Sequence, residues 1–158
     1  MGRMSSLNRR DLVAALAALT VTRSTAEAQA IVPPGETVLA TPKVFSYEDL
    51  PVKKNPNRSE TRPVLQGTLP TGEAIELHET VLAVGGTPNP PHQHRQSDII
   101  LIRKGTIAFE HDGKAEHAGP GAVIFVGSET MHTVRNVGEE PAEYFVIVIG
   151  REAQKQLV

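Results

Sequence analysis

The chain has 158 residues, a formal net charge of −2, 39% hydrophobic residues and no cysteine. This composition suits one domain with a single core and excludes disulfides, thiolate metal ligands and a cysteine nucleophile, so any metal must be held by nitrogen and oxygen. The nearly balanced charge and the lack of a long basic block argue against nucleic acid as a partner.

The first thirty residues predict an export signal. The pair Arg9-Arg10 precedes an apolar stretch from Leu12 to Val21, and small residues follow at Ala28-Gln29-Ala30. This order is typical of secretory signals, and the paired arginines are typical of the twin-arginine route. The apolar stretch is too short to span a membrane, so we expect a periplasmic protein without a stable membrane anchor. The alternative is an amphipathic N-terminal helix of the folded domain, which Pro33-Pro34-Gly35 would separate from the rest of the chain.

Short strands with turns between them are predicted for the rest of the chain. No segment between Ile31 and Gly150 has a helical period, and the strand-like runs are bounded by Gly, Pro, Asn and Asp. The predicted strands are KVFSYEDL (43–50), RPVLQGTL (62–69), EAIELHETVLAV (73–84), DIILIRKG (98–105), TIAFEHDGK (106–114, with a hairpin turn at Asp112-Gly113), AVIFVG (122–127), HTVRNVG (132–138) and EYFVIVIG (143–150). A polar link (51–61) separates the first two. The predicted fold class is all-β, a sandwich or a barrel such as the jelly roll.

The stretch PPHQHRQSDII (90–100) contains a candidate metal site. His92 and His94 are two residues apart, so on a strand both imidazoles point to one face, with Cα atoms about 7 Å apart. Asp98 has the same parity, but in a straight strand it would lie roughly 20 Å from His92. The chain must therefore turn at 95–97 if Asp98 is to join. A third histidine, His132, begins another predicted strand.

The spacing of these residues resembles the two motifs of the cupin family. The first resemblance is Gly86-x5-His92-x-His94-x3-Asp98-x6-Gly105, and the second is Gly121-x5-Gly127-x-Glu129-x2-His132-x3-Asn136. The resemblance implies an antiparallel jelly-roll barrel that holds one divalent metal through two histidines and an acid of the first motif and one histidine of the second. The implied ligands are His92, His94, Asp98 and His132. We therefore divide the chain into a signal peptide (1–30), N-terminal strands and linker (31–65), the barrel (66–150) and a C-terminal tail (151–158).

The sequence departs from the family pattern at three positions. Asp98 stands where the family usually has glutamate and is one methylene shorter, so contact through a water, or no contact, is an alternative to direct ligation. Gln96 is the alternative oxygen ligand. Gly127 and Glu129 replace the usual proline and glycine of the turn before His132. The alternative to a metal site is a barrel in which the histidines line an empty cavity.

Three imidazoles and one carboxylate suit Fe(II), Mn(II), Ni(II), Co(II) or Zn(II), and four protein ligands on a six-coordinate ion leave two open positions. This predicts a metal-dependent enzyme, an oxygenase or a lyase or isomerase, acting on a small organic molecule in an apolar pocket formed by Ile100, Ile102 and Val134. His78 and Tyr144 are candidates for moving a proton. The alternatives are a cupin that binds a small molecule or a metal without catalysis, and a sugar-binding or structural jelly roll.

The remaining expectations concern the surface. His111 and His117 are expected to be solvated, in a turn and in a polar link. An uncovered sheet edge tends to pair with another chain, and small cupins commonly lend an N-terminal strand to a neighbour, so the resemblance implies a homodimer joined by the strand at 43–47. The alternative is a monomer in which this strand covers its own edge.

The export route can be tested by changing Arg9-Arg10 to Lys-Lys. We expect the variant to stay in the cytoplasm, because the twin-arginine route reads the arginine pair. Fractionation of the expressing cells measures this, with Arg23→Lys as the control. Unchanged appearance in the periplasm would point to the general secretory route instead.

Overall fold

The structure, a computed structural model, describes residues 39–150, which form nine strands and one short 3-10 helix. The strands are β1 (Lys53–Lys54), β2 (Ser59–Thr68), β3 (Ala74–Leu82), β4 (Ser97–Lys104), β5 (Ile107–His111), β6 (Lys114–Ala118), β7 (Val123–Val126), β8 (His132–Asn136) and β9 (Ala142–Ile149), and the 3-10 helix is Tyr47–Asp49. The predicted signal peptide and C-terminal tail lie outside the described residues. Between residues 39 and 150 no helix has the length and apolar character needed to cross a membrane.

The strands form two antiparallel sheets. One has six strands in the order β1-β2-β3-β9-β4-β7, and the other has three in the order β6-β5-β8. Buried apolar side chains from both sheets form one cluster, which includes Ile100, Val146 and Val148 from the larger sheet and Phe109 and Val134 from the smaller. The all-β prediction is confirmed.

Most strand predictions are confirmed within a few residues. The hairpin turn between β5 and β6 is also confirmed, since Asp112 and Gly113 both have positive φ, 47° and 72°, as a two-residue turn of this kind requires. His117 was expected in a polar link, but it lies on β6, where it is exposed. His111 was expected to be solvated, but it ends β5 half-buried, with its ring stacked on Phe109 at 4.7 Å.

The strand predicted at 43–50 is wrong. This segment is irregular and contains the 3-10 helix Tyr47–Asp49. The Tyr47 ring lies against two guanidinium groups, 4.6 Å from that of Arg62 and 5.7 Å from that of Arg103. Such cation–π contacts hold the ring against the outer face of the six-stranded sheet, so the segment does not pair as a strand. Instead β1, inside the expected polar link, pairs with β2. The homodimer stays a prediction, without the strand on which it was based.

Under Tyr47 lies a buried charge network. Glu79 of β3 has no exposed side-chain area and pairs with Arg62 at 3.6 Å and with Arg103, which also reaches Glu143 at 3.5 Å. Arg103 is partly exposed, and its guanidinium group also neutralises the buried Glu79 carboxylate. A buried carboxylate needs such partners because desolvation strongly disfavours an unpaired charge.

Replacing Glu79 with Gln should destabilise the fold. The variant leaves two guanidinium groups facing each other without their shared carboxylate, and we expect a loss of about 2–3 kcal/mol, below the range for a fully buried pair because Arg103 is partly exposed. Urea unfolding measures the change. Glu60→Gln is the matched control, since the Lys54–Glu60 pair is largely exposed and should matter by less than about 1 kcal/mol. Equal effects of the two changes would contradict this account.

Candidate metal site

A pair of backbone hydrogen bonds brings together His92 and His132, the first and the last of the three histidines in the implied ligand set. His92 N–H donates to the carbonyl of His132 at 3.0 Å, and His132 N–H donates back at 2.8 Å, which forms an isolated antiparallel bridge. This bridge fixes the segment before β4 against the first residue of β8. The rings of His92 and His132 lie with centroids 4.6 Å apart as a result.

His94 and Asp98 complete the cluster. The Glu129 N–H donates to the carbonyl of His94, and the chain then bends at Arg95 and Gln96 before β4 begins. This is the turn that Asp98 requires, and its Oδ2 lies 3.1 Å from His94 Nε2 and 3.8 Å from His132 Nε2. The structure therefore brings all four implied residues together.

Ligand atoms of the three histidines lie within 4.8 Å of one another. The short side chain of Asp98 contacts two of these histidines, His94 and His132, through its Oδ2 atom. Gln96, the alternative oxygen ligand, is buried at the bend, where its backbone carbonyl receives a hydrogen bond from His94. The three histidines are thus the core of the candidate site, and Asp98 is its carboxylate.

Each histidine is oriented by a backbone carbonyl two residues away. The Nδ1 atoms of His92, His94 and His132 lie 3.0, 3.1 and 2.9 Å from the carbonyl oxygens of Pro90, Gln96 and Thr130. Because a carbonyl oxygen only accepts, each Nδ1 carries the hydrogen. The neutral rings then keep a lone pair on Nε2, the arrangement in which metal-ligating histidines are commonly held.

This arrangement leaves Asp98 facing a lone pair. A neutral His94 and an ionised Asp98 are both acceptors at their 3.1 Å contact, so a proton or a cation is needed between them. Burial raises the pKa of the Asp98 carboxyl against the opposing effect of the nearby histidines. Burial lowers the pKa of His132, which favours its neutral form. Neutral imidazole nitrogens beside a carboxyl group are a donor set that fits a divalent transition metal.

The turn before His132 forms despite its changed residues. Glu129 has φ of 60°, in the left-handed region that suits the glycine of the family pattern. Thr130 N–H still closes the turn on the carbonyl of Gly127 at 3.2 Å. The departure at Glu129 therefore adds local backbone strain, of about 1–3 kcal/mol, without removing the turn.

A cavity of about 100 Å³ adjoins the histidines. It is lined by His78, Pro88, Asn89, His92, Asp98, Ile100, His132, Thr133, Val134, Tyr144, Val146 and Val148. Of the predicted pocket residues, Ile100 and Val134 line it, while Ile102 is buried in the core without doing so. Sequence reasoning missed Val146 and Val148, although the strict alternation of buried positions along β9 shows that they share a face.

The two candidates for proton transfer lie on neighbouring strands at the cavity wall. His78 of β3 is half-buried, and its Nδ1 lies 2.9 Å from Oε1 of Glu76, a buried residue that sequence reasoning missed. Tyr144 of β9 is buried, and burial raises the pKa of its hydroxyl far above the ordinary value, while Thr80 opposite has a smaller opposing effect. Tyr144 is therefore a neutral hydroxyl.

Comparison with known proteins supports the cupin fold. Residues 78–148 match the family model of the cupin domain. Similar solved structures include a predicted oxalate decarboxylase from Thermotoga maritima (19% identity, 68% of this chain and 99% of that chain, TM-score 0.59). An RmlC-like cupin from Shewanella frigidimarina is 13% identical, with 71% of this chain and 95% of that chain covered and a TM-score of 0.57. The polyketide cyclase RemF from Streptomyces resistomycificus is 17% identical, with 69% of this chain and 80% of that chain covered and a TM-score of 0.57. No curated protein matches the chain. The chain has the cupin fold, as the sequence predicts.

The contact between Asp98 and His94 yields a prediction for the metal-free protein. Asp98→Asn replaces an acceptor with an amide that can donate to His94 Nε2, so we expect the variant to be more stable at neutral pH by about 0.5–1.5 kcal/mol. Because the Asp98 pKa is raised, its contribution to wild-type stability is present at low pH and is lost as pH rises through that pKa. The gain from Asn should therefore shrink in acid. Thermal unfolding with a chelator, at several pH values, measures this, and a less stable variant at neutral pH would contradict it.

Proposed function

We propose that this chain of cupin fold binds one divalent transition metal, Fe, Mn, Ni, Co or Zn, and is a metal-dependent enzyme that acts on a small organic molecule. The ligands would be His92, His94 and His132, with Asp98 as the fourth, directly or through a water. The observation that carries the proposal is the orientation of the rings: three separate backbone carbonyls fix three Nδ1 hydrogens and leave three Nε2 lone pairs beside one carboxylate.

The metal, when bound, would polarise an oxygen of the substrate as a Lewis acid. Other residues of the chain would hold the ligands in place and form the wall of the cavity. Ile100, Val146 and Val148 form an apolar wall, whereas Asn89 and Thr133 offer polar groups. The Thr133 hydroxyl donates to the carbonyl of Asn89 at 2.9 Å, which holds the loop before His92 against β8.

The size of the cavity favours a small substrate. Its volume of about 100 Å³ is below the ~300–1,000 Å³ of pockets that take drug-sized ligands. Structures of similar fold include a predicted oxalate decarboxylase and a polyketide cyclase, so this fold supports enzymes. At 17–19% identity these neighbours support the fold and not a particular reaction. An oxygenase and a lyase or isomerase therefore remain the two reaction types that we propose.

The second candidate is a cupin that captures its ligand or metal without catalysis. It is favoured by the motifs, which supply metal ligands but no further acid or base. A periplasmic location is part of both proposals, and it rests on the predicted signal in residues 1–30. A capture protein would release its ligand unchanged after prolonged incubation, which product analysis would show.

Removing one histidine tests the metal site. His94→Ala deletes one of three nitrogen ligands, so we expect the bound metal to fall at least about tenfold while the strands stay folded, because the core is built from other residues. Elemental analysis of protein purified without an affinity tag measures the metal, and circular dichroism checks the fold. His117→Ala is the control, since His117 is exposed on β6. Full metal content in the His94 variant would rule out the assignment.

A further inference from the structure

Besides two histidines of the candidate metal site, the cavity wall contains His78, which is paired with a buried carboxylate. Glu76 and His78 lie on the inner face of β3, and His78 Nδ1 is 2.9 Å from Glu76 Oε1. Glu76 is 3% exposed, and its other oxygen, Oε2, has no hydrogen-bond partner among the described residues. A buried carboxylate with an unpaired oxygen is costly to the fold, so the pair calls for a role beyond packing.

Glu76 determines which nitrogen of His78 faces the cavity. An ionised carboxylate only accepts hydrogen bonds, so His78 donates from Nδ1 and keeps a lone pair on Nε2. His78 lines the cavity, and its Nε2 has no hydrogen-bond partner among residues 39–150. A histidine held by a carboxylate in this way is the usual arrangement of a general base.

Sheet register places this pair across the cavity from the metal ligands. Residues that are partners across neighbouring strands form rows on the inner face of the sheet. In one row Asp98 of β4 lies opposite Val148 of β9, which lies opposite Glu76 of β3. In the next inward-facing row Ile100 lies opposite Val146, which lies opposite His78. Asp98 and Glu76 are therefore two strand spacings apart, about 10 Å between Cα atoms. A small ligand lying over the two valines would have the metal ligands at one end and His78 at the other.

Tyr144 does not provide an alternative proton acceptor. It lies in the next row, opposite Thr80, and its buried hydroxyl stays protonated because burial raises its pKa. It offers a hydrogen to a ligand and cannot readily take one. Of the two candidates for proton transfer, His78 is then the one with a free lone pair.

We propose that His78 is the proton acceptor of this site, that Glu76 is its positioning residue, and that the substrate is a small carbonyl compound with a C–H bond next to the carbonyl. This inference rests on the proposed function, because a metal at the histidines would polarise the carbonyl oxygen. The C–H bond breaks, the proton moves to His78 Nε2, and the electron pair shifts to the carbonyl oxygen to give an enolate. Return of the proton to the same carbon restores His78 and the carbonyl. Where that carbon carries a hydroxyl group, the hydroxyl proton moves to the former carbonyl oxygen, and the proton on His78 can then return to the neighbouring carbon to complete an isomerisation, so no oxidant or other reactant is needed. Of the two reaction types, this selects the lyase or isomerase.

The first experiment measures the tautomer of His78 by nitrogen NMR of its ring in the full, chelator-treated chain. We expect the Nδ1–H tautomer in the wild type and a shift toward Nε2–H in Glu76→Ala. In Glu76→Gln the amide oxygen can still accept a hydrogen bond from His78 Nδ1, so we expect the wild-type tautomer. This variant allows the tautomer of His78 to be measured if Glu76→Ala does not fold. An Nε2–H tautomer in the wild type, or no change in a folded Glu76→Ala variant, would overturn the role of Glu76.

The second experiment measures proton transfer to two probes, pyruvate and hydroxyacetone, in deuterium oxide. Protein with its metal content determined should exchange the protons next to the carbonyl faster than buffer with the same metal. His78→Gln should slow exchange at least about 100-fold and Glu76→Gln about tenfold, with unchanged metal content, and the exposed-site control His117→Gln should have no effect. No exchange by the metal-containing wild type, or unchanged exchange in His78→Gln, would overturn this inference alone. A wild type that holds no metal would instead overturn the proposed function, and the tautomer of His78 could still be read.

Discussion

The two-way hydrogen bond between the backbones of His92 and His132 is the contact on which the candidate site depends. It joins a segment that leads into the larger sheet to the first residue of a strand in the smaller one, so both sheets contribute to one cluster. Two residues far apart in sequence acquire neighbouring side chains because their main chains are paired. The bend at 95–96 and the turn at Glu129 then need only place His94 and Asp98 beside this pair.

The residues of the candidate site could be identified from the sequence because their spacing resembles the cupin motifs. Two histidines of equal parity, an aspartate after a polar triplet and a histidine at a strand start are visible in the sequence, and the structure brings them together. The strand at 43–50 could not be rejected in the same way. Its apolar residues fit a strand, whereas the feature that prevents one, the contact of Tyr47 with Arg62 and Arg103, depends on strands far along the chain.

Strand β3 shows why the cavity wall was harder to predict. Alternation along EAIELHETV would place Ile75 and Leu77 inside and the polar residues outside, but Glu76 and His78 face the interior. Hydrophobic patterning fails here because part of the interior is a cavity with polar groups, not a packed core. The residues that contradict the pattern are the ones to which we assign proton transfer.

Each histidine of the candidate site has its own orienting carbonyl within three consecutive residues: Pro90 to His92, His94 to Gln96, and Thr130 to His132. The ring orientations therefore do not depend on the side chains of β3 or β9. Substitutions on those strands can alter what the cavity accepts while the three nitrogens keep their direction.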